Sequence, residues 1–409
     1  MELLRSSAFD ENALPIGVSI VMPCLNEAQS LPYCIANARH ALQQIEQLYG
    51  LAGEIVIADN GSSDGSQELA ASLGARVVPV TRKGYGAAIL GGFNAAFGHY
   101  LVMGDADGSY DFNDSVAMIA QLIEGADLCM GSRFAGGIAK GAMPWKNRYI
   151  GNPALTGILN LLFRSGIDDA HCGLRAIRKD ALAQMNLAGN GMEFASEMVI
   201  KARLKDMRIA QVPATLSPDR RDRPPHLRPL RDGWRHLRYL FMLSPTWVFG
   251  VPGIAALLLA AIIFGTAGAY ATGLLVGTPF FGVSWCVIAA FLASCGHFCL
   301  LMGVAMHLHG VRSGYRQLWP MLRTLAPFLT LEAMLTTGLA IIAVAFTCLL
   351  LVGMQWSQGG FEALRNPLPL IGGTALGAIG LQTMFGAFVL AIIAGNDNRL
   401  AYLATPDPA

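Results

Sequence analysis

The sequence predicts two fold classes in series: an α/β domain on a mostly parallel sheet, then an all-α membrane domain with four transmembrane helices. Three observations predict it. Up to about Pro213, short apolar runs alternate with helix-forming stretches, the rhythm of a parallel sheet with crossover helices. The early apolar runs each end in polar residues of similar kinds. Beyond Ser244 charge nearly vanishes, and four apolar segments are each long enough to cross a bilayer core of about 30 Å.

In order, Val18 to Met22 reads as the first strand, Glu54 to Asp59 as the second, Arg76 to Val80 as the third and Tyr100 to Met103 as the fourth. Leu31 to Leu48 and Ser66 to Leu73 are the helical stretches between them. The apolar spans run from Trp247 to Gly273, Phe281 to His307, Leu325 to Met354 and Leu368 to Ala394. The expected division is 1–216 for the α/β domain, 217–245 for a basic loop and an interfacial amphipathic helix, and 246–409 for the membrane domain.

Composition narrows the function classes. A 409-residue chain is too long for one ordinary core, and 53% apolar against 14% charged residues is poor in charge for a soluble protein. A net charge of +1 argues against a nucleic-acid-binding protein. Eight cysteines without a Cys-x-x-Cys give neither a disulfide framework nor a zinc site. Met1 to Ser7 has no apolar core for a signal peptide, so the α/β domain is expected to stay in the cytoplasm. Arg312, Arg316 and Arg323 lie between the second and third spans, while the loops on the other side carry only Glu362 and Arg365. The positive-inside rule therefore puts both termini in the cytoplasm of a multi-pass protein of the cell membrane, a bacterial inner membrane by expectation. Gly373 and Gly377 form a small-xxx-small pair that allows close helix contact within a chain or between copies, so a homo-oligomer through the membrane helices is the further partner expectation.

The strand ends carry the chemistry. In an open α/β sheet, ligands sit beyond the carboxyl ends of the strands. Here that edge collects Pro23, Asn26 and Glu27, then Asp59, Asn60 and Gly61, then Lys83 and Gly84, then Asp105, Ala106 and Asp107. Asp59-Asn60-Gly61 alone also makes an ordinary tight turn, and an isolated Asp-x-Asp occurs in many surface loops. Four such features at four successive strand ends read together as a nucleotide-diphosphate pocket. Residues two apart on a strand share a side, so Asp105 and Asp107 are expected to grip one cation. Hard divalent cations take carboxylate oxygens and bridge to phosphates.

On these residues the chain resembles glycosyltransferase family 2, inverting enzymes of the GT-A fold, over roughly residues 17 to 240. Within that family it is similar to polyprenyl-phosphate glycosyltransferases such as dolichol-phosphate mannose or glucose synthase. The resemblance implies that Pro23, Asn26 and Glu27 line the base pocket, that Asp59 contacts base or ribose, and that Asp105 and Asp107 hold Mg or Mn on the diphosphate. Mannose synthases usually carry a Gln two residues after the second aspartate; Ser109 stands there, so water, Ser109 or Asp111 is left to complete the shell. Gly131-Ser132-Arg133, Cys172-Gly173-Leu174-Arg175 and Phe194-x-x-Glu197 resemble the acceptor half. Arg133 and Arg148 match positions that bind the lipid phosphate, with Arg220 and Arg221 in the basic loop as further phosphate ligands. Arg175 and Glu197 complete the implied catalytic set, and a structural ion pair is the competing explanation for Arg133 and Arg175.

The implied reaction moves one sugar from a UDP- or GDP-hexose to polyprenyl phosphate at the cytoplasmic face of the lipid bilayer. Two alternatives stand beside it. A processive polysaccharide synthase of the same fold carries a Gln-x-x-Arg-Trp element, which Gly233-Trp234-Arg235 is not. A non-catalytic membrane protein that binds lipid-linked sugars has no need of the intact Asp105, Asp107, Arg133 and Arg175.

Overall fold

In β1 (Ile16–Cys24), Val18, Ile20, Val21 and Met22 are wholly buried, the continuous apolar run of a strand covered on both faces. This computed structural model describes residues 16–221, 229–277, 280–325, 328–364 and 366–395. Met1 to Ser7 and Arg365, named above, and residues 222–228 of the expected basic loop lie outside the described residues. The chain divides into two compact units, Met1–Leu240 and Phe241–Ala409.

The first unit holds one seven-stranded sheet. Its strands are β1, β2 (Ala52–Asp59), β3 (Arg76–Pro79), β4 (Tyr100–Met103), β5 (Leu128–Ser132), β6 (Arg175–Arg178) and β7 (Ile209–Pro213). The spatial order is β3-β2-β1-β4-β6-β5-β7. β1 lies parallel to β2 and β4, β2 parallel to β3 and β5 parallel to β7, while β6 runs antiparallel to both neighbours. The sheet is thus mostly parallel, as the sequence predicts. The chain builds outward from β1 to β3 and then returns to β1's other side with β4. That reversal opens a crevice beyond the carboxyl ends of β1 and β4.

Helices cover the sheet: α1 (Leu31–Tyr49), α2 (Ser66–Ser72), α3 (Tyr85–Ala95), α4 (Ser115–Ile123), α5 (Arg133–Gly136), α6 (Asn152–Phe163), α7 (Lys179–Met185) and α8 (Phe194–Leu204). In α1 the buried residues Leu31, Cys34, Ile35, Ala38, Ala41, Leu42 and Ile45 recur at helical spacing and pack on one core with β1 and β2. α9 (Pro229–Met242) follows, with His236 and Leu240 buried and Trp234, Arg235, Arg238 and Met242 exposed.

The second unit contains four helices long and apolar enough to cross a membrane. They are α10 (Val251–Ala271), entered through a wide turn at Thr246–Gly250, then α11 (Val283–Arg312), α13 (Leu331–Gln358) and α14 (Leu368–Ile393); the short α12 (Pro320–Leu325) precedes the third. The third crossing starts later than the expected Leu325, because the Thr330 hydroxyl caps it by accepting from the Ala333 N–H at 3.1 Å. Small residues set the helix contacts. A side chain on Gly338 would meet the Gly380 carbonyl at 2.8 Å, so α13 and α14 cross nearly backbone to backbone. Gly373 faces Leu349 and Gly377 faces Ala345 of the same chain, so within this chain the pair joins α14 to α13. Polar bonds join α11 to α14: His297 Nε2 lies 3.0 Å from Thr383 Oγ1, and Gln382 Nε2 donates to Ser294 Oγ at 2.9 Å.

Candidate active site

The carboxyl edge of the sheet is a set of interlocked turns. Asp59 is buried, and its carboxylate accepts from the N–H groups of Gly61 and Ser62 and from Gln67 Nε2 at 2.6 Å. Its oxygens therefore shape the turn after β2, where the resemblance implies a contact to base or ribose. Asn60 ties that turn to the next strand end: its amide donates to the Val80 and Arg82 carbonyls, and its Oδ1 accepts from Gly84 N–H at 2.9 Å. Lys83 Nζ returns to the Asn60 carbonyl at 2.6 Å. Gly84, at φ 129°, adopts a backbone conformation that a side chain would strain, and an added Cβ would meet the Asn190 carbonyl at 2.2 Å. Asn26 accepts from Ser63 N–H at 2.8 Å, which joins the extension of β1 to the turn beside Gly61. Pro23 is the penultimate residue of β1 and pairs in register with Ala58.

The acidic pair needs a correction of geometry. β4 ends at Met103, so Asp105 and Asp107 lie in the turn beyond it and do not share a strand face. Each is oriented by its own partner. Tyr85 Oη donates to Asp105 Oδ1 at 2.9 Å, and Ser109 N–H donates to Asp107 Oδ1 at 3.0 Å. Ala106 between them is buried, and its carbonyl accepts from Ser30 Oγ at 2.6 Å. Burial, and next the charge of Asp107, raise the Asp105 pKa above the usual carboxylate range. Asp111 is committed elsewhere, to Asn37 Nδ2 at 2.8 Å and to Asn113.

Two carboxylates in one turn fit a hard divalent cation such as Mg or Mn. Among the described residues no three His, Cys, Asp or Glu are placed to hold one ion, which would leave the other positions to phosphate oxygens and water.

Arg221 enters this acidic turn. Its guanidinium pairs with Asp107 Oδ2 at 2.9 Å, Asp219 Oδ2 at 3.0 Å and Glu27 Oε1 at 3.2 Å. Arg220 is exposed and lies over the Tyr33 ring at 3.5 Å, while its N–H donates to the Asp107 carbonyl at 2.9 Å. Both arginines, expected on the acceptor phosphate, therefore contact Asp107 in the turn beyond β4.

The acceptor motifs differ from expectation. Arg133 is buried and bidentate with the buried Asp169, Nε to Oδ2 at 2.6 Å and Nη2 to Oδ1 at 2.8 Å. Burial opposes its charge, but Tyr110 and Asp169 hold the guanidinium firmly protonated. Arg175 is fully buried and donates to the carbonyls of Cys172, Ala195 and Ala170. It pairs with carbonyls, not with the acidic neighbour weighed for it. Glu197 is fully buried, pairs with Lys201 at 2.7 Å and accepts from the N–H groups of Ala188 and Gly189. These three are framework groups here, because their polar atoms are already satisfied away from solvent. Arg148, unlike Arg133, Arg175 and Glu197, is partly exposed, its guanidinium 5.5 Å from the Tyr149 ring centre and without a carboxylate partner among the described residues.

Sequence reasoning missed several contributors. Tyr85 stands between two glycines, and a bulky hydroxyl at a strand-end turn was a usable signal. Asp169 and Asp219 were visible only as neighbours of motif residues. His171 and His236 meet edge to face with ring centres 4.9 Å apart, and His236 Nδ1 lies 2.8 Å from Ser196 Oγ, which ties α9 to α8 within the first unit. Trp145, Tyr149, Ile150 and Leu161 expose an apolar and aromatic face beside Lys146 and Arg148.

Comparison with known proteins gives a consistent result. Residues 19–185 match the family described as "Glycosyl transferase family 2", and residues 304–394 match "Glycosyltransferase family 2 C-terminal transmembrane region". The low-salt glycan biosynthesis hexosyltransferase Agl6 of Haloferax volcanii is 35% identical over 392 residues, 95% of this chain and 91% of its own. The polyprenol monophosphomannose synthase of Mycolicibacterium smegmatis is 29% identical over 48% of this chain and 76% of its own. The dolichol-phosphate mannosyltransferase of Pyrococcus furiosus is 29% identical over 48% of this chain and 56% of its own.

Proposed function

The chain belongs to glycosyltransferase family 2, and from that premise we propose that it transfers one sugar from a UDP- or GDP-hexose to polyprenyl phosphate at the cytoplasmic face of a cell membrane, with inversion. The observation that carries this reading is the acidic turn at the sheet's switch point, where Asp107, Glu27 and Asp219 gather round one guanidinium and Asp105 stands beside them. Relatives named for polyprenol and dolichol phosphates support the lipid acceptor. The four membrane helices suit a substrate with an apolar tail. Catalysis is assigned to 1–216, membrane contact to α9 within 217–245, and the lipid-facing bundle to 246–409.

The chemistry follows from the acceptor. A phosphate monoester is largely dianionic near neutral pH, so it attacks the anomeric carbon without a strong base. A single displacement from the face opposite the nucleotide inverts that carbon, and the nucleoside diphosphate departs. The protein's task is to hold two anions in line and offset their repulsion. Asn26, Asn60, Lys83 and Gly84 keep the donor turns in one shape. Tyr85 orients Asp105, and Asp105 and Asp107 would hold Mg or Mn. When bound, that ion neutralises charge on the departing diphosphate. Arg148 attracts the lipid phosphate, and Arg133, Arg175 and Glu197 support the walls from behind.

The test is transfer from radiolabelled UDP- and GDP-sugars into butanol-extractable lipid, with purified protein, undecaprenyl phosphate and Mg or Mn. Label from one donor, abolished by Asp107→Ala, is the expected result. No label from any donor with folded protein defeats the proposal.

A further inference from the structure

We propose that Arg221 is a built-in counter-cation: it holds Asp107 until a divalent cation takes its place, and metal binding then frees its guanidinium for phosphate oxygens. This rests on the reading of Asp105 and Asp107 as the residues that hold the metal.

The charge arrangement carries it. One guanidinium faces three carboxylates, Glu27, Asp107 and Asp219, at 2.9 to 3.2 Å. The side chains of Glu27, Asp107 and Arg221 are only 7%, 13% and 12% exposed, so water screens this cluster poorly. Asp105 stands beside them, and among the described residues Arg221 is the cation that pairs with Glu27, Asp107 and Asp219 together. Arg220 does not help, because its guanidinium lies over Tyr33. Among the described residues Arg221 is therefore the cation that pairs with Asp107.

Its position makes it a competitor for the metal. Asp107 Oδ1 is taken by Ser109 N–H, and Oδ2 is the oxygen that Arg221 holds. A divalent cation drawn to Oδ2 meets a fixed positive charge on the same atom, and one must give way. The segment carrying Arg221 needs little movement for this. Ser217 N–H donates to the Ser109 carbonyl at 2.8 Å and Arg220 N–H to the Asp107 carbonyl at 2.9 Å, and both bonds are made by backbone. They leave the Arg221 side chain free to swing while the chain stays clasped to the turn.

The experiment is Mn²⁺ binding to the full chain in lipid nanodiscs without nucleotide, read from loss of the free-ion electron paramagnetic resonance signal. Arg221→Gln is expected to bind Mn²⁺ about tenfold more tightly than the unaltered chain, and Arg221→Lys, which keeps the charge, to stay near it. In the unaltered chain, saturating Mn²⁺ is expected to speed tryptic cleavage after Arg221 several-fold, a readout that needs no variant to fold. Equal or weaker Mn²⁺ binding by folded Arg221→Gln overturns the inference, as does a cleavage rate indifferent to Mn²⁺. In both cases binding that Asp107→Ala abolishes leaves the metal reading intact. No Mn²⁺ bound by any of these proteins overturns the metal reading together with the inference.

Discussion

The donor edge and the acceptor-side motifs of the first unit are both rich in charge, yet they use it in opposite ways. At the donor edge, Arg221 meets Glu27, Asp107 and Asp219 at once, and Asp105 beside them has no ion pair among the described residues. On the acceptor side, Arg133, Arg175 and Glu197 are each fully matched: Arg133 by Asp169, Arg175 by three carbonyls, Glu197 by Lys201 and two N–H groups. The difference separates residues poised for a ligand from residues that build its walls. An unmatched charge at a cleft invites a counter-ion, whereas a buried pair stabilises only its own surroundings.

The sharpest way to break the comparison is at the donor edge. Asp107→Ala should lower sugar transfer about ten-thousandfold, roughly 5.5 kcal/mol of transition-state stabilisation, with the fold intact. A variant that kept transfer within tenfold would remove the distinction. Next, Arg133→Ala should leave Asp169 buried and unpaired and cost about 3–5 kcal/mol of stability, measured by denaturant unfolding of the first unit's signal. Arg133→Ala that folds normally but no longer binds acceptor would place Arg133 among the ligand-facing groups. Arg148→Ala should behave the other way, with unchanged stability and an acceptor KM raised about tenfold, near 1.4 kcal/mol. A drop in stability with unaltered KM would make Arg148 one more wall residue.

The smallest effect is one of pH. Burial first, then the charges of His236 and Arg133, lower the His171 pKa to about 3. Neither ring nitrogen has a hydrogen-bond partner among the described residues. The folded state therefore prefers neutral His171, and this contribution is complete above the unfolded value near 6.5. It declines as pH falls from there toward 3, by at most about 1.4 kcal/mol per pH unit. Unfolding midpoints between pH 7 and 5 should fall for the unaltered chain and flatten for His171→Asn. An unchanged slope would show that water reaches the ring.

Much of the molecule was legible in the sequence because periodicity and strand-end chemistry are local. The apolar run at Val18 to Met22, the spacing in Leu31 to Leu48 and four long uncharged segments each announce an element without reference to the rest of the chain. That Asp59, Asn60, Lys83 and the Asp105–Asp107 turn meet at one edge was legible for the same reason, since a parallel sheet delivers every strand's carboxyl end to one edge. What only the tertiary structure decided is which charges remain available. Arg133 finds its partner 36 residues away, Arg221 reaches Glu27 across 194 residues, and Tyr85 meets Asp105 from a neighbouring helix. Side-chain pairing over such separations depends on where the folded backbone puts each group and on how far burial removes water from it. Neither quantity is written in the spacing of a motif.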